Sequence, residues 1–481
     1  MPKSRMADLV VIVPGIMGSV LEKSGKEVWS PKVAANAGLL GFGSLVSDVI
    51  PRNEDDKSED LGDQIVPTRI CRDYYIVPGI YKLDGYSKLL EMLKAEFEVW
   101  MEGESKAPPN LIEFPYDWRR SNLISAKKMQ GAIEKRLWDW RKHTGDNSSK
   151  AIIIAHSMGG IVSRCYLECF EGWKDCRAFI SLATPYRGSL DVLDYLANGY
   201  KIARYDVSPL VRACTSVYEL LPIYKVVESS GEWHRVAELE NLPNLLHSKA
   251  KAGLSFHHKI IDAVASNQDN DNYRSNPYLL TPIVGTGQNT LQSAQFSAGH
   301  LKTTNDLPGG IQEIFGEGDT RVPRVSAIPI DQSNAGREMH IVETHGCLPS
   351  NKSMLEDLRR RLELIQNPIE EIRGVLGSTG TLTRIGIEVS DAYPALEPIS
   401  IVATIGSAHS SQIGSEYLAE VTCLSESREK LKVRMTEKDG AFTAEIRPLT
   451  PGNYRVTVRS EKFSEHAPEP VSDIFTVYSS Q

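Results

Sequence analysis

The chain has 481 residues, of which 41% are hydrophobic and 24% charged, as in a globular protein large enough for two or three domains. Its net charge of −8 argues against a polyanionic partner, so we expect no nucleic-acid binding. No apolar run approaches the roughly 18 residues that a membrane-spanning helix needs. The apolar run near the N-terminus, about five residues long, is too short for a signal peptide and predicts a cytoplasmic protein.

The seven cysteines show no spacing typical of a metal site. Cys165 and Cys169 are one helical turn apart in a predicted core helix, which favours buried free thiols over disulfides. We therefore expect no metal and no cofactor.

The first half of the chain alternates between predicted strands and helices. A buried strand is predicted within residues 8–19, DLVVIVPGIMGS, before a glycine-containing turn. Residues 22–69 read as loop, with an apolar stretch at 39–45 and an acidic run at 54–63. Helices are predicted over 86–97 and 129–142, with a strand near 110–114 between them. Strands and helices that alternate in this way predict a parallel sheet with right-handed crossovers.

Residues 150–163, KAIIIAHSMGGIVS, place a serine between a buried strand and a helix. Ala155 and Gly159 flank Ser157, and their small size permits the strained turn of a nucleophile elbow, G-x-S-x-G, with alanine in place of the first glycine. The N–H of Met158 begins the helix and can donate to a developing oxyanion. The alternative interpretation is a strand-turn-helix joint in which Ser157 is only an N-cap.

The early glycine turn offers a second oxyanion donor. In proteins with a nucleophile elbow this donor comes from an early strand-to-loop junction. We nominate the N–H of Ile16, and a plain turn remains the alternative.

The chain continues with a buried strand over 177–183, a mostly helical segment over about 190–280, and a return to the sheet at 282–285. An insertion at this place is typical of a cap that covers an active site. The cap is also a candidate for peripheral membrane contact.

A serine hydroxyl needs a base, and His345 is the predicted one. It lies in HIVETH, residues 340–345, at the carboxyl end of a strand. His340 is the rival base, but it stands at the start of that strand, away from the edge where the site residues gather.

A carboxylate must hold the imidazole in the correct tautomer and stabilise the imidazolium. Asp319 lies in the tight turn GEGDTRVP, residues 316–323. Asp306 and Glu317 are its rivals. The order serine, aspartate, histidine is that of the α/β-hydrolase triads.

Six motifs resemble those of the lecithin:cholesterol acyltransferase and lysosomal phospholipase A2 family. They occur in order over residues 8–365: VPGIMGS, PYDWR, AHSMGG, TPYRGS, GDTRVP and HG. The resemblance implies an α/β hydrolase in which Ser157, Asp319 and His345 are catalytic and Ile16 and Met158 supply the oxyanion hole. It also implies that Asp117 and Arg119 of PYDWR anchor a loop near the site. The chain departs from the secreted members of the family because it shows neither signal peptide nor disulfides.

The last part of the chain changes character after a linker-like stretch at 374–380. Seven short strands are predicted over 385–478, and PGNYRVTV at 451–458 is similar to the tyrosine corner of immunoglobulin-like sandwiches. We predict an α/β-hydrolase domain over 1–366 with its cap at about 190–280, and a β-sandwich over 367–481. The sandwich is a candidate for binding a protein partner or a plain structural appendage.

The predicted function is a serine esterase or lipase, acting on lipid or other acyl-ester substrates, phospholipids included. Three alternatives stay open: transfer of a lipid acyl group to an alcohol, a thioesterase or amidase, and a non-enzymatic binding protein on a hydrolase scaffold.

Overall fold

The computed structural model describes residues 3–30, 33, 46–51, 61–72, 75–77, 81–202, 205–332, 339–366, 384–406, 416–424, 430–438, 440–461 and 468–479. The apolar stretch at 39–45, most of the acidic run at 54–63 and the linker-like stretch at 374–380 lie outside these ranges. No helix in the described part of the chain is long and apolar enough to cross a membrane.

A six-stranded parallel sheet forms the centre of the protein. Its order is Met339–Val342, Leu279–Thr286, Cys176–Leu182, Ala151–His156, Leu9–Val13 and Leu111–Glu113. Every residue of Leu9–Val13 and of Ala151–His156 is buried, because helices cover both faces of such a sheet and leave no polar face. The predicted parallel sheet is confirmed.

Four helices accompany the sheet: Ser87–Glu96, Asn122–Thr144, Met158–Cys169 and Lys352–Gln366. The second begins at Asn122, seven residues before the predicted start. Its N-cap is Ser121, whose hydroxyl accepts a hydrogen bond from the N–H of Leu123 at 3.2 Å. Its first turns bury the polar residues Asn122 and Ser125, so the apolar pattern alone did not reveal them.

The segment between Cys176–Leu182 and Leu279–Thr286 is mainly helical, as predicted for the cap. Its helices are Leu190–Asn198, Ser208–Ala213, Thr215–Tyr218, His247–Gln268 and Asp271–Ser275. It also carries strands that the sequence did not predict. They join two strands from beyond the segment in a sheet of order Glu232–His234, Val227–Ser229, Ser293–Ser297 and His300–Thr304.

The prediction that residues 22–69 are loop was wrong in its described part. Ser19–Lys23, Lys26–Trp29 and Ile65–Ile70 form an antiparallel sheet. Two further strand pairs are Tyr75–Val77 with Tyr81–Leu83, and Lys201–Ile202 with Tyr205–Asp206.

The C-terminal part contains all seven predicted strands and two that were not predicted, Ala392–Pro394 and Thr436–Lys438, in two facing sheets. One has the order Arg384–Glu388, Ile399–Gly406, Ala441–Ile446 and Thr436–Lys438; the other has Ala392–Pro394, Val471–Tyr478, Gly452–Ser460, Tyr417–Cys423 and Leu431–Arg434. A separate apolar core fills the space between them. The hydroxyl of Tyr454 donates to the carbonyl oxygen of Thr450 at 2.8 Å, which is the tyrosine corner. The predicted immunoglobulin-like sandwich is confirmed.

Candidate active site

Ser157 occupies a strained turn between the strand Ala151–His156 and the helix Met158–Cys169. Its backbone has φ 54° and ψ −127°, a region that non-glycine residues rarely adopt. The conformation is held by hydrogen bonds from the Ser157 N–H to the carbonyl oxygen of Leu182 at 2.8 Å and from the Gly160 N–H to the carbonyl oxygen of Ser157 at 2.9 Å. The turn has the geometry of a nucleophile elbow.

The two glycines after the elbow are needed for close packing. A Cβ at Gly159 would lie 2.3 Å from the carbonyl oxygen of Pro14, and one at Gly160 would lie 1.8 Å from the hydroxyl oxygen of Thr184. The first contact brings the elbow helix against the loop that follows the strand Leu9–Val13. The glycines therefore place the two predicted oxyanion segments side by side.

His345 and Asp319 meet Ser157 although they are far apart in the chain. The Nε2 of His345 lies 2.9 Å from the Ser157 Oγ, and its Nδ1 lies 2.7 Å from the Asp319 Oδ2. All three side chains are buried. A neutral imidazole that donates from Nδ1 to the carboxylate has its Nε2 free to accept the serine proton.

The turn at Asp319 fixes both the carboxylate and the histidine loop. Its Oδ1 accepts from the N–H groups of Arg321 at 3.0 Å and Val322 at 2.7 Å, and its carbonyl oxygen accepts from the His345 N–H at 2.7 Å. Gly285 lies directly behind it, where a Cβ would come within 2.5 Å of the Asp319 Cβ. The carboxylate is thus held in one orientation.

The rival candidates lie elsewhere. His340 is exposed, and its Nε2 lies 3.3 Å from an Nη2 of Arg324. Asp306 is exposed and accepts from the Thr304 hydroxyl at 2.7 Å, while Glu317 is exposed two residues before Asp319. The structure therefore brings Asp319 and His345 to Ser157 and leaves the three rival residues outside this site.

The predicted oxyanion donors flank the serine. Ile16 lines the same cavity as Ser157, and Met158 is the first residue of its helix, so its N–H has no acceptor within that helix. The loop before Ile16 is fixed by two tyrosines. The Tyr116 hydroxyl donates to the carbonyl oxygen of Pro14, and the Tyr86 hydroxyl accepts from the Gly15 N–H, each at 2.9 Å.

His156 and Tyr86 are site residues that sequence reasoning missed. The Tyr86 hydroxyl lies 3.0 Å from the His156 Nδ1, and the His156 Nε2 lies 3.1 Å from the carbonyl oxygen of His345. A carbonyl oxygen only accepts, so Nε2 carries the proton and Nδ1 accepts from Tyr86. Burial, and secondly the neighbouring His345, hold the pKa of His156 well below its usual value.

Asp117 and Arg119 of the PYDWR motif form a buried ion pair. The Arg119 Nε and Nη2 lie 2.8 and 2.7 Å from the two Asp117 carboxylate oxygens, and Nη1 donates to Asp63 at 2.7 Å and to the carbonyl oxygen of Val49 at 3.2 Å. Burial alone would lower the pKa of Arg119, but the two carboxylates more than offset it and raise it. The pair therefore ties the segment around Val49 and Asp63 to the strand end.

A cavity of about 450 Å³ opens above Ser157 and His345. Its lining is largely apolar, and the cap contributes Val192, Val211, Val217 and Leu220. Arg321 is the cationic side chain in the lining, and its Nη1 donates to Asp191 at 2.8 Å. A cavity of this size and character suits a flexible apolar ligand next to the hydroxyl.

The parallel sheet, the elbow between strand and helix, and the histidine and aspartate at the carboxyl ends of later strands define the α/β-hydrolase fold. The predicted fold class is confirmed. A family model described as lecithin:cholesterol acyltransferase matches residues 82–279. This part of the chain is therefore similar to that family, and the resemblance carried by its motifs is confirmed.

Individual proteins are also similar to the chain. The chain is 25% identical over 423 residues to the phospholipase A(1) LCAT3 of Arabidopsis thaliana, covering 75% of this chain and 90% of that protein. It is 26% identical over 254 residues to the lecithin-cholesterol acyltransferase-like 4 of the same plant, covering 45% of this chain and 43% of that protein. The mature Bacillus licheniformis lipase BlEst2 is 12% identical, covering 75% of this chain and 96% of that chain, with a TM-score of 0.33.

Proposed function

We propose that the protein is a serine hydrolase that cleaves acyl esters of lipids through an acyl-Ser157 intermediate. The observation that carries the proposal is the hydrogen-bonded chain from Asp319 through His345 to Ser157, which ends at an apolar cavity. Such a chain is the arrangement that makes a serine hydroxyl nucleophilic at neutral pH.

In the first half-reaction, the Ser157 Oγ attacks the ester carbonyl carbon while the His345 Nε2 takes the hydroxyl proton. The N–H groups of Ile16 and Met158 stabilise the negative oxygen of the tetrahedral intermediate. Asp319 stabilises the imidazolium. The bond from carbonyl carbon to leaving oxygen then breaks, and His345 gives its proton to the departing alcohol.

In the second half-reaction, water attacks the acyl carbon and gives a proton to His345. The tetrahedral intermediate collapses, the carboxylic acid leaves, and the proton returns to the Ser157 Oγ. An alcohol in the place of water would give an ester instead, because the same groups serve any hydroxyl nucleophile. Acyl transfer is therefore the second candidate function, and it is favoured by the match to the acyltransferase family.

A phospholipid substrate is supported by two observations. The cavity has a largely apolar lining that suits an acyl chain, and a relative matched over 90% of its length is named a phospholipase A(1). We therefore expect one fatty acid and one lysophospholipid from each diacyl phospholipid.

The test is mass spectrometry of lipids after incubation with phosphatidylcholine vesicles, with and without a medium-chain alcohol. Hydrolysis predicts free fatty acid and lysophosphatidylcholine in equal amounts, whereas transfer predicts a fatty acyl ester of the alcohol. Ser157→Ala should form neither. Ser163→Ala is the matched control, since this buried serine on the same helix donates only to the carbonyl oxygen of Gly159 at 2.8 Å.

Other acyl compounds separate the remaining alternatives. Preference for an acyl thioester or an amide over the matched ester would favour a thioesterase or amidase. Binding of phosphatidylcholine with no product from any of these compounds would favour a non-enzymatic binding protein and contradict the proposal.

A further inference from the structure

The cavity above Ser157 has a wall that comes from the C-terminal sandwich. Ile387, Val389 and Asp391 line it together with the serine and histidine of the site. Ile387 lies near the end of the strand Arg384–Glu388 and is buried, and Val389 is the first residue after that strand. The sandwich is therefore part of the chamber in which the proposed reaction takes place.

The first contact that holds this wall is made by Gln288. This buried side chain donates from Nε2 to the carbonyl oxygen of Ile385 at 3.1 Å and accepts at Oε1 from the N–H of Ile387, also at 3.1 Å. Arg384–Glu388 is the edge strand of its sheet, so Gln288 satisfies backbone groups that the sandwich leaves open. The two hydrogen bonds of the Gln288 amide therefore fix the position of Ile387 relative to the central sheet.

The second contact lies beside the histidine loop. The Thr344 hydroxyl donates to the carbonyl oxygen of Ser472 at 2.9 Å, and the Ser472 N–H donates to the Glu343 Oε1 at 3.1 Å. Both Glu343 and Thr344 directly precede His345. An ion pair between Arg455 of the sandwich and Asp84 adds a third attachment.

The apolar cap residues and the sandwich wall line one cavity. Val192, Val211 and Leu220 belong to the cap, and Ile387 and Val389 belong to the sandwich. On the sandwich side, Ile387 and Val389 form an apolar strip of the lining, with Glu388 beside them. An acyl chain attached to Ser157 would run between cap and sandwich.

We propose that Ile387 and Val389 of the C-terminal sandwich bind the acyl chain of the substrate and set the chain length that the enzyme prefers. This inference rests on the proposed function. Each methylene that passes from water to this strip raises kcat/KM by about fourfold. A side chain that fills the strip should therefore lower kcat/KM for esters of long acyl chains. Esters of short acyl groups, which do not reach the strip, should lose less kcat/KM.

The experiment measures kcat/KM of the full chain with p-nitrophenyl esters from acetate to decanoate. Val389→Trp fills the strip, and Val389→Phe fills it less. Val389 is only partly buried, whereas Ile387 belongs to the sandwich core, so changes at Val389 disturb the fold less. The matched control is Val402→Trp, because Val402 is half-buried on the neighbouring strand, pairs with Glu388 and does not line the cavity.

We expect the decanoate-to-acetate ratio of kcat/KM to fall tenfold or more in Val389→Trp, to fall less in Val389→Phe, and to stay within twofold of the wild type in Val402→Trp. An unchanged ratio in both Val389 variants would overturn the inference, as would an equal fall in the control. Acetate hydrolysis by Ser157→Ala separates the two proposals. If that variant is inactive while the ratio is unmoved, only the acyl-strip inference fails; if it is active, the proposed function fails.

Discussion

His156 and His345 lie side by side beneath Ser157, with ring centroids 4.8 Å apart, and the Nε2–H of His156 donates to the carbonyl oxygen of His345 at 3.1 Å. His156 is neutral, since burial lowers its pKa well below the usual range. An uncharged neighbour adds no like charge when His345 becomes an imidazolium. Through Tyr86, the same hydrogen-bond chain reaches the Gly15 N–H, so the backbone at His345 and the loop before Ile16, the proposed base and oxyanion loop, share one support.

Removing the Tyr86 hydroxyl should therefore impair catalysis more than binding. In Tyr86→Phe the Gly15 N–H loses its acceptor and the His156 Nδ1 loses its donor, at a cost of about 1–3 kcal/mol for each buried group left unpaired. We expect kcat to fall about tenfold with little change in KM. Tyr454→Phe is the control, because its hydroxyl bonds only within the sandwich and its loss should lower stability alone. Wild-type kcat in Tyr86→Phe would contradict this role.

Asp319→Asn should lower kcat by a factor on the order of 10³–10⁴, because an amide can present its N–H to Nδ1 and favour the wrong imidazole tautomer. Asp306→Asn changes the rival aspartate, which is exposed and bonded to Thr304. That variant should keep the wild-type kcat. Steady-state kinetics on a short-chain ester checks both, and equal effects would refute the choice of acid.

Gly160→Ala should destabilise the protein, since its Cβ would lie 1.8 Å from the Thr184 hydroxyl oxygen and 2.7 Å from the Thr184 Cβ. Overpacking of this kind costs about 1–3 kcal/mol or more. Gly131→Ala is the opposite case, because this glycine lies within the helix Asn122–Thr144 with open space around it. That change should stabilise by about 1 kcal/mol. Urea unfolding compares the two, and a stable Gly160→Ala protein would contradict the packing.

The buried side chains of His257 and Glu343 should change the stability of the protein in opposite directions as the pH falls. Burial lowers the pKa of His257 to about 4, so below pH 6.5 the unfolded state takes up a proton that the native state does not, and stability falls with falling pH. Burial raises the pKa of Glu343 to about 7, so between pH 7 and 4.5 the native state holds a proton that the unfolded state lacks, and stability rises with falling pH.

Replacing His257 or Glu343 should reveal the contribution of that residue to the pH dependence of stability between pH 6 and 5. The slope of the unfolding free energy against pH should decrease by about 1 kcal/mol per pH unit in His257→Gln and increase by about the same amount in Glu343→Gln. Urea titrations at several pH values measure both slopes. Slopes that change in the same direction would contradict the assignment.

The elements that sequence alone predicted are those whose signal is local. The strand before Ser157 is a continuous apolar run, and the small residues around the serine follow from the turn itself. The sandwich strands alternate between apolar and polar residues, so their positions were also predictable. The short strands Val227–Ser229 and Glu232–His234 lack that signal because three residues are too few to show a period.

The parts of the site that escaped prediction depend on long-range contacts. His156 lies next to Ser157 in the sequence, but its hydrogen-bond partners are 70 residues before it and 189 after it. Likewise, nothing local to Ile387 or Val389 indicates that they line a cavity with Ser157. Burial and packing decide such roles, and a single sequence does not encode them in a readable pattern. The division into domains at 366 and the cytoplasmic location stay predictions.

Labelling with a fluorophosphonate probe, followed by peptide mass spectrometry, tests whether Ser157 is the reactive nucleophile. We expect one adduct, on Ser157, in the wild type and much slower labelling in His345→Ala. We expect no adduct at that position in Ser157→Ala, whereas Ser163→Ala should be labelled normally. Labelling of Ser157→Ala at the wild-type rate would contradict this role of Ser157.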